Sequence, residues 1–201
     1  DGQSEQEIKK SRFICSLKRV TSEEEAKAFI LALKKEHWKA NHNCSAFVIG
    51  ENNEIQRSSD DGEPSGTAGV PMLDVLKKNE LINVVAVVTR YFGGTKLGAG
   101  GLIRAYASTV AAALKEIGIV EGTLNQTLYL TIDYPQLGKL QNHLEHQNIH
   151  LASIDYTDKI RVTLMVPEIS LSAVEADLTD LLQGQLEIAH GPVSYVERPI
   201  S

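Results

Sequence analysis

The sequence predicts an α+β protein built from two domains. Strand-like and helix-like segments alternate along the chain, and those after residue 126 follow the order strand, helix, strand, strand, helix, strand. Charge divides at the same place, because residues 1–125 carry 16 basic and 16 acidic side chains, whereas residues 126–201 carry 4 and 10. We therefore expect one domain over residues 8–122 and a second over residues 126–201.

The first domain is expected to follow a polar, unstructured tail at residues 1–7. Its predicted elements are a strand at 12–20, a helix at 21–38, a hairpin of strands at 44–50 and 54–59, a short helix at 71–79, a strand at 83–91 and a helix at 102–117. Thr21 and Glu24 have the spacing of a capping box at the start of the first helix. The strand at 83–91 is rich in valine and apolar on both faces, which predicts a central place in its sheet.

The second domain has predicted strands at 127–133, 150–155, 159–166 and 187–197, and predicted helices at 135–147 and 170–183. This βαββαβ order is typical of a ferredoxin-like domain, in which a four-stranded antiparallel sheet carries both helices on one face.

Composition restricts the class of protein. The 201 residues are 42% apolar and 23% charged, which is typical of a globular chain and excludes a fibrous or disordered one. Two cysteines and no visible secretory leader favour a cytoplasmic protein without disulfides. No apolar run approaches the roughly 20 residues of a membrane helix. The net charge of −6 argues against a protein that coats nucleic acid indiscriminately.

A glycine-rich loop at residues 93–101 is the strongest candidate for a binding site. It joins a strand to a long helix, where unpaired backbone N–H groups and the positive helix end favour an anion. Neither a Walker motif nor a dinucleotide fingerprint is present. Alternatively, the glycines only allow close packing of the helix on the strand. The candidate anion or nucleic-acid contacts are Arg90, Gly93, Gly94, Lys96, Gly98 and Arg104, the last expected in the first turn of the helix.

An acidic loop and a His-x-Cys pair form a possible cleft. Asp60, Asp61 and Glu63 could hold a divalent metal or act as an acid–base pair, although turn formation alone explains such a loop. His42 and Cys44 could be half a zinc site or a cysteine nucleophile with its base. The alternative is a buried strand cysteine beside a loop histidine. We predict no catalytic residue, no metal site and no cofactor.

Four blocks of the first domain resemble the YigZ/IMPACT family. They are Ser11-Arg12-Phe13, His42-x-Cys44-x-Ala46, the run 60–69 followed by Pro71, and Arg90-Tyr91-Phe92-Gly93-Gly94 with Leu97-Gly98 after two free positions. Asn41 stands where the family pattern has a basic residue. The resemblance implies a first domain of the ribosomal-protein superfamily, similar to the fourth domain of elongation factor G, and a ferredoxin-like second domain similar to that factor's fifth. It also implies a link to translation, which eukaryotic members regulate.

Two hypotheses of function follow. The favoured one is a non-enzymatic cytoplasmic module that binds RNA or a ribosome-associated protein through the basic glycine-rich loop, with the three basic residues named above on phosphates. The alternative is a small-molecule hydrolase whose cleft gathers the acidic loop, His42 and Cys44 beside Gly93 and Gly94. This alternative requires those side chains to face one shared cleft.

Overall fold

The computed structural model describes residues 1–200, which divide into two compact units, Asp1–Ile119 and Val120–Ile200. The boundary expected at residues 122–126 falls inside the first strand of the second unit, which runs over Val120–Ile132. Each unit has its own sheet and its own hydrophobic core.

The first unit is an antiparallel five-stranded sheet with helices on both faces. Its elements are β1 (Gly2–Ile8), β2 (Ser11–Arg19), α1 (Glu23–Glu36), β3 (His42–Ile49), β4 (Ile55–Ser59), α2 (Gly69–Lys78), β5 (Val84–Tyr91) and α3 (Gly98–Ile117). The strands lie in the order β1-β2-β5-β3-β4, so β5 is in the middle, as its valine content predicts.

Burial on both faces of β5 explains this central position. Ala86 and Val88 pack into the larger core with α2 and α3. Val85 and Val87 pack into a second core with α1. Even-numbered β5 residues therefore face α2 and α3, and Arg90 continues that face to the end of the strand.

The expectation of an unstructured tail at residues 1–7 is wrong. This segment forms β1, which pairs along its whole length with β2. Its polar side chains explain the error, because the half-buried ones contact α3 through hydrogen bonds: Ser4 donates to Glu116, and the Gln6 amide donates to Ser108 and Thr109. The half-buried face of an edge strand here is polar rather than apolar, so hydrophobic alternation does not reveal it.

Two helix starts also differ from expectation. Ser22 rather than Thr21 caps α1, since its hydroxyl accepts the N–H of Glu25. α3 begins at Gly98, four residues earlier than predicted, so Arg104 lies in its second turn. Glycine has low helix propensity, but burial of Leu97 and Leu102 against the sheet fixes this first turn.

The second unit confirms the predicted βαββαβ order. Its elements are β6 (Val120–Ile132), α4 (Leu137–His146), β7 (His150–Tyr156), β8 (Ile160–Pro167), α5 (Leu171–Leu181) and β9 (Glu187–Pro199). The strands pair antiparallel in the order β7-β8-β6-β9. Apolar residues of β6 and β8 pack against α4 and α5 in a single core, which is the ferredoxin-like arrangement. Within residues 1–200, every helix is too short or too polar to cross a bilayer.

Candidate functional site

A pocket of about 390 Å³ lies where β3, β5 and the start of α3 meet in the first unit. Antiparallel pairing of β3 with β5 places His42 opposite Arg90. The acidic loop brings Glu63 into contact with both residues, and the segment from Lys96 to Ala99 also lines the pocket. The two candidate regions of the sequence, the acidic loop and the glycine-rich loop, therefore contribute to one pocket.

Glu63 is the buried centre of the pocket floor. Its side chain is 3% exposed, and its two oxygens lie 2.8 and 3.1 Å from Nη1 of Arg90. The hydroxyl of Tyr106 also donates to this carboxylate. Burial, together with Cys44 and Glu63, raises the pKa of Tyr106 far above its usual range, so the hydroxyl stays a donor.

Arg90 is a buried partner of Glu63 rather than a solvated arginine. Its side chain is 6% exposed. The guanidinium lies 5.5 Å from the ring centroids of both Phe13 and Phe92, and Ser11 accepts from it. Because Glu63 neutralises the charge of Arg90, removing either partner leaves an unpaired charge where little water can reach it.

His42 lies beside the same carboxylate. Its Nδ1 lies 2.9 Å from the backbone oxygen of Asp61, which can only accept a hydrogen bond. Its Nε2 lies 3.3 Å from Oε1 of Glu63. Both ring nitrogens thus face oxygen atoms, and the His42 ring lies beside the carboxylate that also binds Arg90.

The other two carboxylates of the acidic loop, Asp60 and Asp61, accept hydrogen bonds from backbone N–H groups. Asp60 accepts N–H groups of Gly66, Ala68 and Gly69, and so caps the start of α2. Burial raises the pKa of Asp60, but these three hydrogen bonds outweigh burial and leave the pKa below its usual value. Asp61 accepts the backbone N–H of Asn43. Across residues 1–200, His, Cys, Asp and Glu side chains form no group of three or more that could hold a metal ion.

Cys44 does not reach the pocket. Its side chain is fully buried, and its thiol donates to the backbone oxygen of Asp60 at 3.0 Å. Burial raises the pKa of the Cys44 thiol to about 12, so almost no thiolate exists near neutral pH. Of the predicted cleft residues, His42 and Glu63 line the pocket, whereas Cys44, Asp60 and Asp61 do not.

The start of α3 presents unpaired donors and positive charge to the pocket. No side chain caps the helix at Leu97, and no acidic residue lies in its first turn. The first backbone N–H groups of a helix lack intrahelical partners. Exposed Lys96 immediately precedes this end, and the Arg104 guanidinium folds back to within 3.2 Å of a Cβ placed on Gly100. Cations beside the positive end of a helix are unfavourable unless an anion joins them.

Gly93 and Gly94 have separate roles in the loop. A Cβ on Gly93 would lie 1.9 Å from the backbone oxygen of Lys10, so only glycine fits at this close approach. Gly94 has a φ of +91°, the left-handed region that glycine tolerates. Gly93 therefore allows a close approach to the turn between β1 and β2 rather than packing of α3 on β5, while Gly98 lines the pocket.

Four residues that line the pocket or contact Arg90 or Glu63 are not among the predicted site residues. Asn41 lines the pocket and accepts the N–H of Phe92. Tyr106 looks like an ordinary apolar position of α3 but donates to Glu63. Ser11 and Phe92 contact Arg90 and belong to the family blocks, which are the only sequence signal that marks them.

Comparison with known proteins supports the resemblance. A family model described as the Impact N-terminal domain matches residues 9–114, which include all four blocks, and one described as a domain of unknown function, DUF1949, matches residues 130–185. IMPACT family member YvyE of Bacillus subtilis is 50% identical over 200 residues, covering 100% of this chain and 92% of that protein. IMPACT family member YigZ of Escherichia coli is 37% identical and covers 91% of both chains. A solved structure of a hypothetical protein, 35% identical, matches with a TM-score of 0.58 over 92% of this chain and 91% of its own.

Proposed function

The chain belongs to the IMPACT family, and on that premise we propose that it is a non-enzymatic, translation-linked module that binds RNA phosphates at the start of α3. One observation carries this proposal: an uncapped 20-residue helix directs its positive end at a pocket edged by Lys96, with no acidic residue in its first turn. Anions bind at such helix ends through backbone N–H groups and the helix dipole.

The surrounding charges support a phosphate ligand. Lys96 is exposed and Arg104 folds back over the first turn. Glu63 balances the charge of Arg90 on the pocket floor, so it does not neutralise Lys96, Arg104 or the positive end of α3. The edge of the pocket is therefore locally positive within a protein whose net charge is −6. Such local charge favours a polyanion at this one place rather than over the whole surface.

The hydrolase alternative receives no comparable support. A cysteine nucleophile would need access and a lowered pKa, whereas the Cys44 thiol is buried and its pKa is raised to about 12. Asp60 and Asp61 are engaged with backbone N–H groups. The pocket contains positive groups and one neutralised carboxylate, which suits binding better than general acid–base chemistry.

Binding of a fluorescent single-stranded RNA, measured by anisotropy at about 50 and 200 mM salt, tests the proposal. We expect Lys96→Ala to weaken binding about tenfold and to lower the salt slope by about 0.7, the value for one phosphate contact on a single strand. Lys115→Ala removes the same charge at the other end of α3, about 26 Å away, and should change neither quantity. Equal effects of both variants, or binding independent of salt, would refute phosphate contacts at this site.

A further inference from the structure

The pocket at the start of α3 has apolar walls that a phosphate alone does not require. Phe92 lines it and is 46% exposed. Pro64, Leu97 and Leu102 add apolar surface around the same space. An exposed phenyl ring beside a guanidinium is a surface on which flat aromatic groups stack.

Arg90 has hydrogen-bonding capacity that its neighbours do not use. A guanidinium carries five N–H groups. Arg90 contacts three acceptor atoms: the two oxygens of Glu63, and the hydroxyl of Ser11, which Nε and Nη2 share at 3.4 Å each. Nη2 therefore keeps at least one N–H without an acceptor among residues 1–200. Because the Arg90 side chain lines the pocket, its guanidinium borders the space that a ligand would occupy.

We propose that this pocket holds one unpaired nucleotide, with its phosphate at Lys96 and the first turn of α3, and its base against Phe92 within reach of Arg90. The inference rests on the proposed function and identifies the part of an RNA that enters the protein. The chemistry recognised is a phosphate joined to a flat heterocycle. A free mononucleotide has the same chemistry, so the experiment must distinguish the two sources.

The size of the pocket favours a single nucleotide over a double helix. Its volume of about 390 Å³ is near the lower end of the roughly 300–1,000 Å³ of small-molecule sites. Bases within a duplex are stacked and paired, whereas bases in single strands, loops and ends can turn outward and stack on aromatic side chains. We therefore expect single-stranded RNA to bind in preference to a duplex of the same length.

The ligand arms of the test use the full chain and isothermal titration. They compare uridine and adenosine 5′-monophosphates, ribose 5-phosphate, which lacks the base, and the nucleosides, which lack the phosphate. Anisotropy in parallel compares a labelled eight-nucleotide single strand with its duplex. The nucleotide inference predicts that monophosphates bind at least tenfold more tightly than ribose 5-phosphate or nucleosides, and that the single strand binds at least tenfold more tightly than the duplex.

Variants at Phe92 separate stacking from phosphate binding. Phe92→Ala should weaken the single strand and the monophosphates about tenfold or more, whereas Phe92→Tyr, which keeps the ring, should stay within about twofold. Trp38→Ala is the matched control, because Trp38 is another exposed aromatic side chain of the same unit, at 73% exposure, and does not line the pocket. Circular dichroism of each variant checks that the fold is intact.

The outcomes distinguish this inference from the proposed function. Loss of RNA binding in Lys96→Ala but not in Phe92→Ala would overturn the nucleotide inference and leave the phosphate site standing. Monophosphate binding that depends on Phe92, without any RNA binding, would refute the proposed function and assign the pocket to a free nucleotide. Ribose 5-phosphate binding as tightly as the monophosphates would overturn a role for the base.

Discussion

Glu63→Gln tests whether the pocket floor depends on a buried charge. The substitution keeps the shape of the side chain but removes the negative charge that faces Nη1 of Arg90 at 2.8 Å. Both side chains are at most 6% exposed, and breaking such a pair by removing one partner costs about 3–5 kcal/mol. We expect the lower value, about 3 kcal/mol, because the pocket gives Arg90 partial access to water. In a unit of this size, that loss lowers the melting temperature by about 12 °C.

Urea unfolding followed by circular dichroism at neutral pH measures the effect. Glu51→Gln is the control, since Glu51 is exposed and surface substitutions usually stay within about 0.5 kcal/mol. A second measurement replaces the pair together: Glu63→Leu with Arg90→Met should cost less than the two single changes added, because no charge is left unpaired. A cost for Glu63→Gln below about 1 kcal/mol, or strict additivity in the double variant, would show that the pair does not hold the charge of Arg90.

Three further predictions concern groups near the pocket. Lys96→Ala should raise the free energy of unfolding by about 0.3–1 kcal/mol at low salt, because Lys96 lies at the positive end of the α3 dipole. Lys115→Ala should lower the free energy of unfolding, because Lys115 lies at the negative end. Urea titrations at low and high salt check both signs. The folded-state pKa of Asp60 lies below its unfolded value of about 4, so its contribution to stability is present above that pH and is lost as the pH falls through the lower folded pKa. Because the carboxylate is only partly buried, Asp60→Asn should cost about 0.5–1 kcal/mol at neutral pH and flatten the acid limb of the stability curve. Cys15 and Cys44, whose pKa values burial raises to about 12, should react with iodoacetamide only after unfolding, and rapid labelling of native Cys44 would contradict its burial.

Local patterns in the sequence predict most of the fold. The valine-rich segment of β5 could be placed in the middle of its sheet because both of its faces are apolar. The βαββαβ order of the second unit could be predicted because its strands and helices have distinct periodicities. β1 could not be predicted, because the polar residues of its half-buried face contact α3 through hydrogen bonds rather than apolar packing. The first turn of α3 could not be predicted, because its glycines favour a loop and only tertiary packing makes them helical.

The candidate site could be predicted only in parts. The acidic loop and the glycine-rich loop can both be recognised in the sequence. That they line one pocket depends on the strand register that sets His42 opposite Arg90. That register joins strands separated by a hairpin, a loop and a helix, so no local pattern specifies it. The ion pair of Arg90 with Glu63 depends in turn on how the acidic loop folds over β5. Arg90 is consequently a candidate phosphate contact in the sequence, whereas in the structure it is buried and paired with Glu63.

The edge of the pocket is positive because the nearby carboxylates are bound to other groups. Asp60 holds the start of α2, and Asp61 holds the backbone of β3 and pairs with Lys34 at 3.3 Å. Glu63 is the one carboxylate among the residues that line the pocket, and it is already paired with Arg90. An acidic loop therefore surrounds the pocket without neutralising it, and the unpaired helix end beside Lys96 remains the place where an added anion gains most.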